Sequence, residues 1–234
     1  MANILHIETA TQVCSVALSS GNELLLLKES NEKNNHSASL TIFIDEIIKS
    51  AGMPYQSLDA VAVSMGPGSY TGLRIGVSVA KGICFAIDKP LIAVSTLLSM
   101  AAGVKKGMKS LGTPILFCPM IDARRMEVYN ALYNTDLTTF REIRAEIISE
   151  TSFNEELTNH QVWFFGDGAA KCKPSLENHP NSRFIDDFQP SASHMISLAL
   201  EKFTHSIFED VAYFEPFYLK DFIPGIPKVK GLSV

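Results

Sequence analysis

Met65-Gly66-Pro67-Gly68-Ser69-Tyr70-Thr71-Gly72-Leu73-Arg74-Ile75-Gly76 is the stretch on which the reading of this chain turns. An apolar run, Ala60 to Ser64, precedes it and reads as a buried strand. A run from Thr71 to Ile87 follows and reads as a helix, with Thr71 as its expected N-cap. Pro67 fixes one backbone angle and the flanking glycines open others, so a rigid turn is expected at a helix N-terminus. Such a turn suits two tasks. Its amides can hold an anion, or it can present the helix to another protein. The motif ends Gly72-Leu73-Arg74, which is neither a Walker loop nor a Rossmann fingerprint.

The helix itself points to the second task. From Leu73 to Ile87 its only charges are Arg74 and Lys81. A surface helix normally keeps one polar face, whereas this one is apolar around most of its circumference. One sheet covers one face, so either the domain buries the rest or a second polypeptide does. Gly72 and Gly76 share a face and are expected to let a partner backbone approach closely.

Upstream, Ile4 to Glu8, Val13 to Leu18 and Glu23 to Glu29 read as an antiparallel meander. Leu40, Phe43, Ile44, Ile47, Ile48 and Ala51 form a helical stripe, capped near Ser37 and ended by Gly52 and Pro54. After the glycine turn and its helix comes a strand at Leu91 to Val94. The second half repeats this order. Strands are expected at Ile115 to Ile121, at Met126 to Tyr133 and between Leu137 and Ile148. A short helix is expected to open with a Thr151 or Ser152 capping box, followed by a Val162 to Phe165 strand and a Gly166-Asp167-Gly168 turn. A helix, a short Phe184-Ile185 strand and a Met195 to Phe203 helix complete the half. The expectation is two α/β lobes around a cleft. The division is 1–103, 104–210 and an irregular C-terminal arm, 211–234, with the Lys- and Gly-rich segment Gly103 to Gly112 as boundary. The tail from Phe217, with Pro224 and Pro227, is expected to be mobile or tied down by a partner.

Composition excludes some classes. A chain of 234 residues with 46% hydrophobic residues builds a real core. A net charge of −5 provides no general attraction for nucleic acid, so an RNA substrate would be held mostly by a partner. Cys14, Cys84, Cys118 and Cys172 form no C-x-x-C pair and read as buried thiols. Among six histidines none pairs at i, i+4, so no metal site is expected. The N-terminus shows no signal pattern and no uninterrupted apolar run reaches transmembrane length, so a cytoplasmic protein without membrane contact is expected. Weak cofactor candidates remain at matched strand ends. These are Glu8 and Thr9, Asp122, and Gly166, Asp167 and Gly168, which could hold a nucleotide and Mg²⁺ or simply turn the chain.

The glycine motif through Gly76, with Ala80-Lys81-Gly82, Pro90-Leu91, Val94-Ser95-Thr96-Leu97, Ile121-Asp122-Ala123-Arg124, Glu127-Val128-Tyr129 and Pro216-Phe217-Tyr218-Leu219, resembles the TsaB (YeaZ) family. One departure is Glu8-Thr9-Ala10-Thr11, where the family more often has Asp-Thr-Ser-Thr. The resemblance implies ribonuclease-H-like lobes of the actin, hexokinase and heat-shock-protein-70 superfold. It implies a non-catalytic subunit supporting a TsaD-type transferase that makes N6-threonylcarbamoyladenosine in tRNA. Other implied partners are a TsaE-type ATPase and a second copy of the chain, with tRNA met only through the complex. ATP or ADP is implied, if anywhere, at the interface with TsaD. The helical surface of the first lobe would form that interface, and Tyr70, Thr71, Gly72, Leu73, Arg74, Gly76, Val77 and Lys81 are the contact candidates. Where TsaD places two metal-binding histidines, this chain has Thr96 and Met100. Two alternatives stand beside this reading: an ATPase or small-molecule kinase of the same superfold using Glu8, Asp122 and Asp167, and a metallopeptidase.

Overall fold

The computed structural model describes residues 1–32, 36–107 and 114–220. Two five-stranded mixed sheets carry the fold. The first is built from β1 (Asn3–Glu8), β2 (Cys14–Ser20), β3 (Glu23–Ser30), β4 (Ala60–Gly66) and β5 (Leu91–Ser95), in the order β3-β2-β1-β4-β5. The meander β1 to β3 is antiparallel, and β4 and β5 add in parallel to β1. The second sheet repeats this with β6 (Ile115–Asp122), β7 (Glu127–Asn134), β8 (Thr139–Ile147), β9 (Gln161–Phe165) and β10 (Ser182–Ile185), in the order β10-β9-β6-β7-β8. The same strand order is thus built twice, giving the two α/β lobes that the duplicated pattern of the sequence predicts.

Each sheet is apolar on both faces, so each needs two helical layers. On the first sheet, Leu5, Ile7, Val16, Leu18, Val61 and Val63 point to α1 (His36–Ser50) and α2 (Tyr70–Ile87). The alternate residues Ile4, Ala17, Ala60, Ala62, Ile92 and Val94 point the other way. What covers them is Ala192, Met195 and Ala199, from a 3₁₀ turn and α6 (Ile196–Thr204) near the end of the chain. The second sheet is the converse. Its Leu116, Cys118, Met120, Val162 and Phe164 pack on Phe153, Leu157, Ala169 and Cys172, from around α4 (Asn154–Asn159) and α5 (Ala169–Leu176). Its Phe117, Ile121, Ala131, Tyr133 and Phe165 pack on Leu97, Met100, Ala101 and Val104 of α3 (Thr96–Lys106).

The third helix of each half therefore covers the sheet of the other. Sequence reading did not anticipate α3. The expected boundary at 103/104 falls inside it, and residues 108–113 of that segment lie outside the described residues. Ser95 caps α3 by accepting from the Leu98 amide. Ser37 lies inside α1, which begins at His36, and the residues just before His36 lie outside the described residues. The capping box before α4 does not form, because Phe153 occupies the N-cap with φ 64° and Ser152 Oγ accepts from the Ser149 amide instead.

By length and composition α2 is one helix able to cross a membrane, yet a third of it is buried against its own lobe. The arm is held by this chain rather than left loose, as far as Lys220. Val211 and Phe214 join the first core, and the Glu209 amide bonds to the Leu91 carbonyl. Lys81 Nζ donates to the Ala212 and Phe214 carbonyls, and the Phe217 amide to the Met65 carbonyl at 2.7 Å. Residues 221–234 lie outside the described residues.

Candidate partner interface and inter-lobe cleft

The glycine turn is packed against the chain's own β1–β2 turn. Gly66 has φ 111°, and a Cβ there would sit 2.6 Å from the Phe217 carbonyl oxygen. A Cβ on Gly68 would sit 2.4 Å from the Ala10 oxygen, while the Ser69 amide donates to that same oxygen at 2.7 Å. Ser69, not Thr71, is the N-cap of α2. Its Oγ accepts from the Gly72 amide, and Thr71 stands exposed one residue inside the helix. The Ser69, Gly72 and Leu73 amides are all satisfied within the chain. The turn is therefore not an open amide cradle at those positions.

Gly72 and Gly76 do allow a close approach, but to Thr9. A Cβ would lie 2.1 Å from the Thr9 carbonyl oxygen at Gly72 and 2.3 Å from Thr9 Oγ1 at Gly76. Thr9 Oγ1 donates to the Gly72 carbonyl at 2.8 Å, pinning helix to strand end. Of the eight expected contact residues, Gly72, Leu73, Gly76 and Val77 are thus consumed by the fold: all four are buried. Tyr70, Thr71, Arg74 and Lys81 remain at the surface, with Lys81 engaged by the arm.

The outward side of α2 runs through Thr71, Arg74, Ser78, Gly82 and Phe85, spaced three or four apart. Phe85 is 85% exposed. Beside α2, α1 turns Ile42 outward at 54% exposure, with Ala38 and Thr41 also exposed. Phe85 was missed because nearly every residue of α2 is apolar, so periodicity alone does not say which face meets the sheet. The small and polar residues Thr71, Ser78 and Gly82 carried the signal: they mark the face on which Phe85 lies.

The acidic candidates fall into two groups, and among the described residues no hydrogen bond or ion pair joins them. Glu8 is fully buried at the end of β1. Its Oε1 accepts from the Ala10 amide at 2.6 Å and from Ser64 Oγ at 2.9 Å, while Oε2 has no partner. Burial outweighs these bonds and raises the carboxyl to about 7. Across the molecule, the Asp122 amide donates to Asp167 Oδ1, and Lys171 Nζ reaches both Asp122 Oδ1 and the Glu127 carbonyl. Burial raises the Asp167 carboxyl. Gly166 and Gly168 serve packing: a Cβ would press on the Met120 oxygen at 2.4 Å and on the Ile121 carbonyl carbon at 2.9 Å, respectively. Between the lobes a cavity of about 410 Å³ is lined by Val13, Glu29, Ser30, Gln189 and His194, among others.

Comparison with known proteins decides the family. The TsaB protein of Haemophilus influenzae is 32% identical over 93% of both chains. The chain belongs to the TsaB family. The TsaB protein of Escherichia coli is 30% identical over 93% of this chain and 94% of its own. A family model described as TsaD, tRNA N6-adenosine threonylcarbamoyltransferase, matches residues 29–222. In fold, the solved YeaZ structure from Pseudomonas aeruginosa superimposes with a TM-score of 0.76 at 24% identity, covering 94% of this chain and all of that one. At the two positions that the resemblance aligned with a histidine pair, Thr96 is buried with its Oγ1 unpartnered, and Met100 packs at Gly166. Among the described residues no group of three or more His, Cys, Asp and Glu side chains is placed to hold a metal.

Proposed function

We propose that this chain is a cytoplasmic partner subunit, without chemistry of its own, for a TsaD-type transferase that forms N6-threonylcarbamoyladenosine in tRNA. Membership of the TsaB family supports the pathway. The observation that supports partnership is the outward face of α2, where Phe85 stands 85% exposed, together with the exposed Ile42 of the neighbouring α1. Phe85 lies in the last turn of α2, and burying its ring against a second helical pair contributes about 2 kcal/mol. The same face serves for a second copy of the chain when the transferase is absent, and the assembled pair would recruit the TsaE-type ATPase. ATP or ADP, on this reading, sits where the two chains meet, since the glycine turn is filled by Ala10 and Thr9. The kinase alternative finds its acids engaged elsewhere, Asp122 by Lys171 and Glu8 under the β1–β2 turn.

The test is reconstitution. A TsaD-type transferase, its ATPase and tRNA should modify tRNA when this chain is added and fail to do so without it. Phe85→Asp should retain the thermal stability of the native chain and reduce co-elution with the transferase by at least about thirty-fold in Kd. Undiminished co-elution of folded Phe85→Asp removes the interface, and modification that is indifferent to the chain removes the function.

A further inference from the structure

At the start of α2, next to the face assigned to a partner, the arm builds an aromatic and cationic cluster around Arg74. Arg74 lies over the Tyr70 ring, its Cζ 4.2 Å from the centroid, and 5.9 Å from the centroid of Tyr218. The two tyrosine rings are 4.9 Å apart, and Arg74 Nε donates to Tyr218 Oη at 3.1 Å. The outer nitrogens of that guanidinium are left to face solvent. Glu215 is near enough to act on Arg74 but forms no ion pair with it.

Two residues after Tyr218, no more than about 7 Å of chain, Lys220 pairs with Glu127 at the base of the β6–β7 hairpin. The arm thus carries the aromatic cluster across to the second lobe. At the hairpin tip stand Arg124 and Arg125, with φ 72° and 51°. Two consecutive left-handed positions call for Asn-Gly or Asp-Gly, and non-glycine residues rarely adopt them. Two arginines hold them here, both exposed and neither in a hydrogen bond or ion pair through its side chain among the described residues. Two of the nearby acids are paired, Asp122 with Lys171 and Glu127 with Lys220, which leaves Arg124 and Arg125 at the hairpin tip without an ion-pair partner among the described residues.

We propose that this surface binds unpaired RNA, with Arg124 and Arg125 on the phosphates and a splayed base against Tyr218, Tyr70 and Arg74. The chemistry matches: forked guanidinium donors suit phosphate, and the half-buried rings of Tyr70 and Tyr218, backed by a guanidinium, suit an unstacked base. The inference rests on the reading that the chain serves RNA modification, and revises the expectation that a partner supplies nearly all phosphate contacts.

The test measures fluorescence anisotropy of the full chain with a labelled single-stranded oligoribonucleotide, with its duplex, and with labelled ADP. Arg124→Asn with Arg125→Gly removes both charges and installs the preferred turn chemistry, so folding is preserved. That variant should bind the single strand about tenfold more weakly. Its slope of log affinity against log salt should shrink by about 1.4, the release expected from two lost phosphate contacts. Tyr218→Ala should weaken the single strand and leave the duplex unchanged. Unchanged affinity and salt slope in the double variant overturn the proposal, as does loss of ADP binding with oligoribonucleotide binding intact. Co-elution with the transferase separates the two readings. Loss of RNA affinity with co-elution intact supports this surface, whereas loss of co-elution in Phe85→Asp with RNA affinity intact concerns only the interface.

Discussion

Glu8 and His6 sit two residues apart in β1, both wholly buried, and burial moves them in opposite directions. Glu8 rises to about 7, and His6 falls to about 3 for the same reason, loss of hydration of the charged form. Between about 4.5 and 7 the folded chain holds the Glu8 proton more tightly than the unfolded chain does. Stability from Glu8 is therefore complete below 4.5 and declines as pH rises through 7, by about 3 kcal/mol. His6 does the reverse: the unfolded imidazole takes a proton below 6.5, so stability falls as pH drops from 6.5 toward 3. Glu8→Gln keeps the Oε1 acceptor for Ala10 and Ser64. It should match the native chain near pH 4 and exceed its stability by about 3 kcal/mol above pH 7.5, read from urea unfolding at each pH. Equal stability of the two proteins at pH 8 would contradict a protonated Glu8. Glycines make a second contrast. Gly76→Ala must push Thr9 Oγ1 away and should cost about 2 kcal/mol or more, whereas a Cβ on Gly82 meets nothing within 4 Å. Gly82→Ala should gain about 1 kcal/mol in the same helix, and thermal melts decide between them. Sequence reading gave Gly72 and Gly76 the right property, close approach, and the wrong neighbour. Spacing reports that two residues share a face but not what that face meets.

At the scale of elements, α2 is best understood as a ridge between two flanks. α1 lies along one side, and the arm from Val211 to Tyr218 runs along α2, tied at Lys81 and at Arg74. The strands were legible because period-two alternation and turn residues are local signals: each expected strand exists, with ends shifted by a few residues. The arm was not legible, since an irregular segment has no period and its anchors are carbonyls, which sequence does not distinguish. Phe214 packs on the first core, and the Phe217 amide closes on Met65. Phe214→Ala should therefore lower stability by about 2 kcal/mol while leaving the outward face of Phe85 in place. Circular dichroism melts check the first effect. Co-elution with the transferase at a temperature where the variant is folded checks the second. An arm that merely rests on the surface would give an unchanged melt.

For the whole molecule, the exchange of third helices sets the unit of folding. The duplicated order of strands and helices was readable, because two halves with the same pattern build the same sheet. The exchange was not, because no local signal states which of two apolar sheets a helix will cover. The α3 stripe Leu97, Met100, Ala101 and Val104 is satisfied by Phe117, Ile121 and Phe165 of the second sheet. Ile4, Ala62, Ile92 and Val94 of the first sheet wait for Met195 and Ala199 of α6. Gly103 lets the His194 ring settle on α3, its Nδ1 2.6 Å from where a Cβ would be, so the exchanged segments also lock to each other. A fragment of residues 1–103 would leave one face of its sheet bare and carry most of a helix that belongs to the other. Such a fragment should aggregate or bind a hydrophobic dye on its own, and so should 104–220. Co-expressed, the two should form a soluble pair, because the missing layers are supplied in trans. A monomeric, cooperatively melting 1–103 fragment would show instead that α1 and α2 alone suffice. The exchanged helix would then join two independent lobes rather than complete them, and the arm crossing from Tyr218 to Lys220 would be the main tie across the cleft.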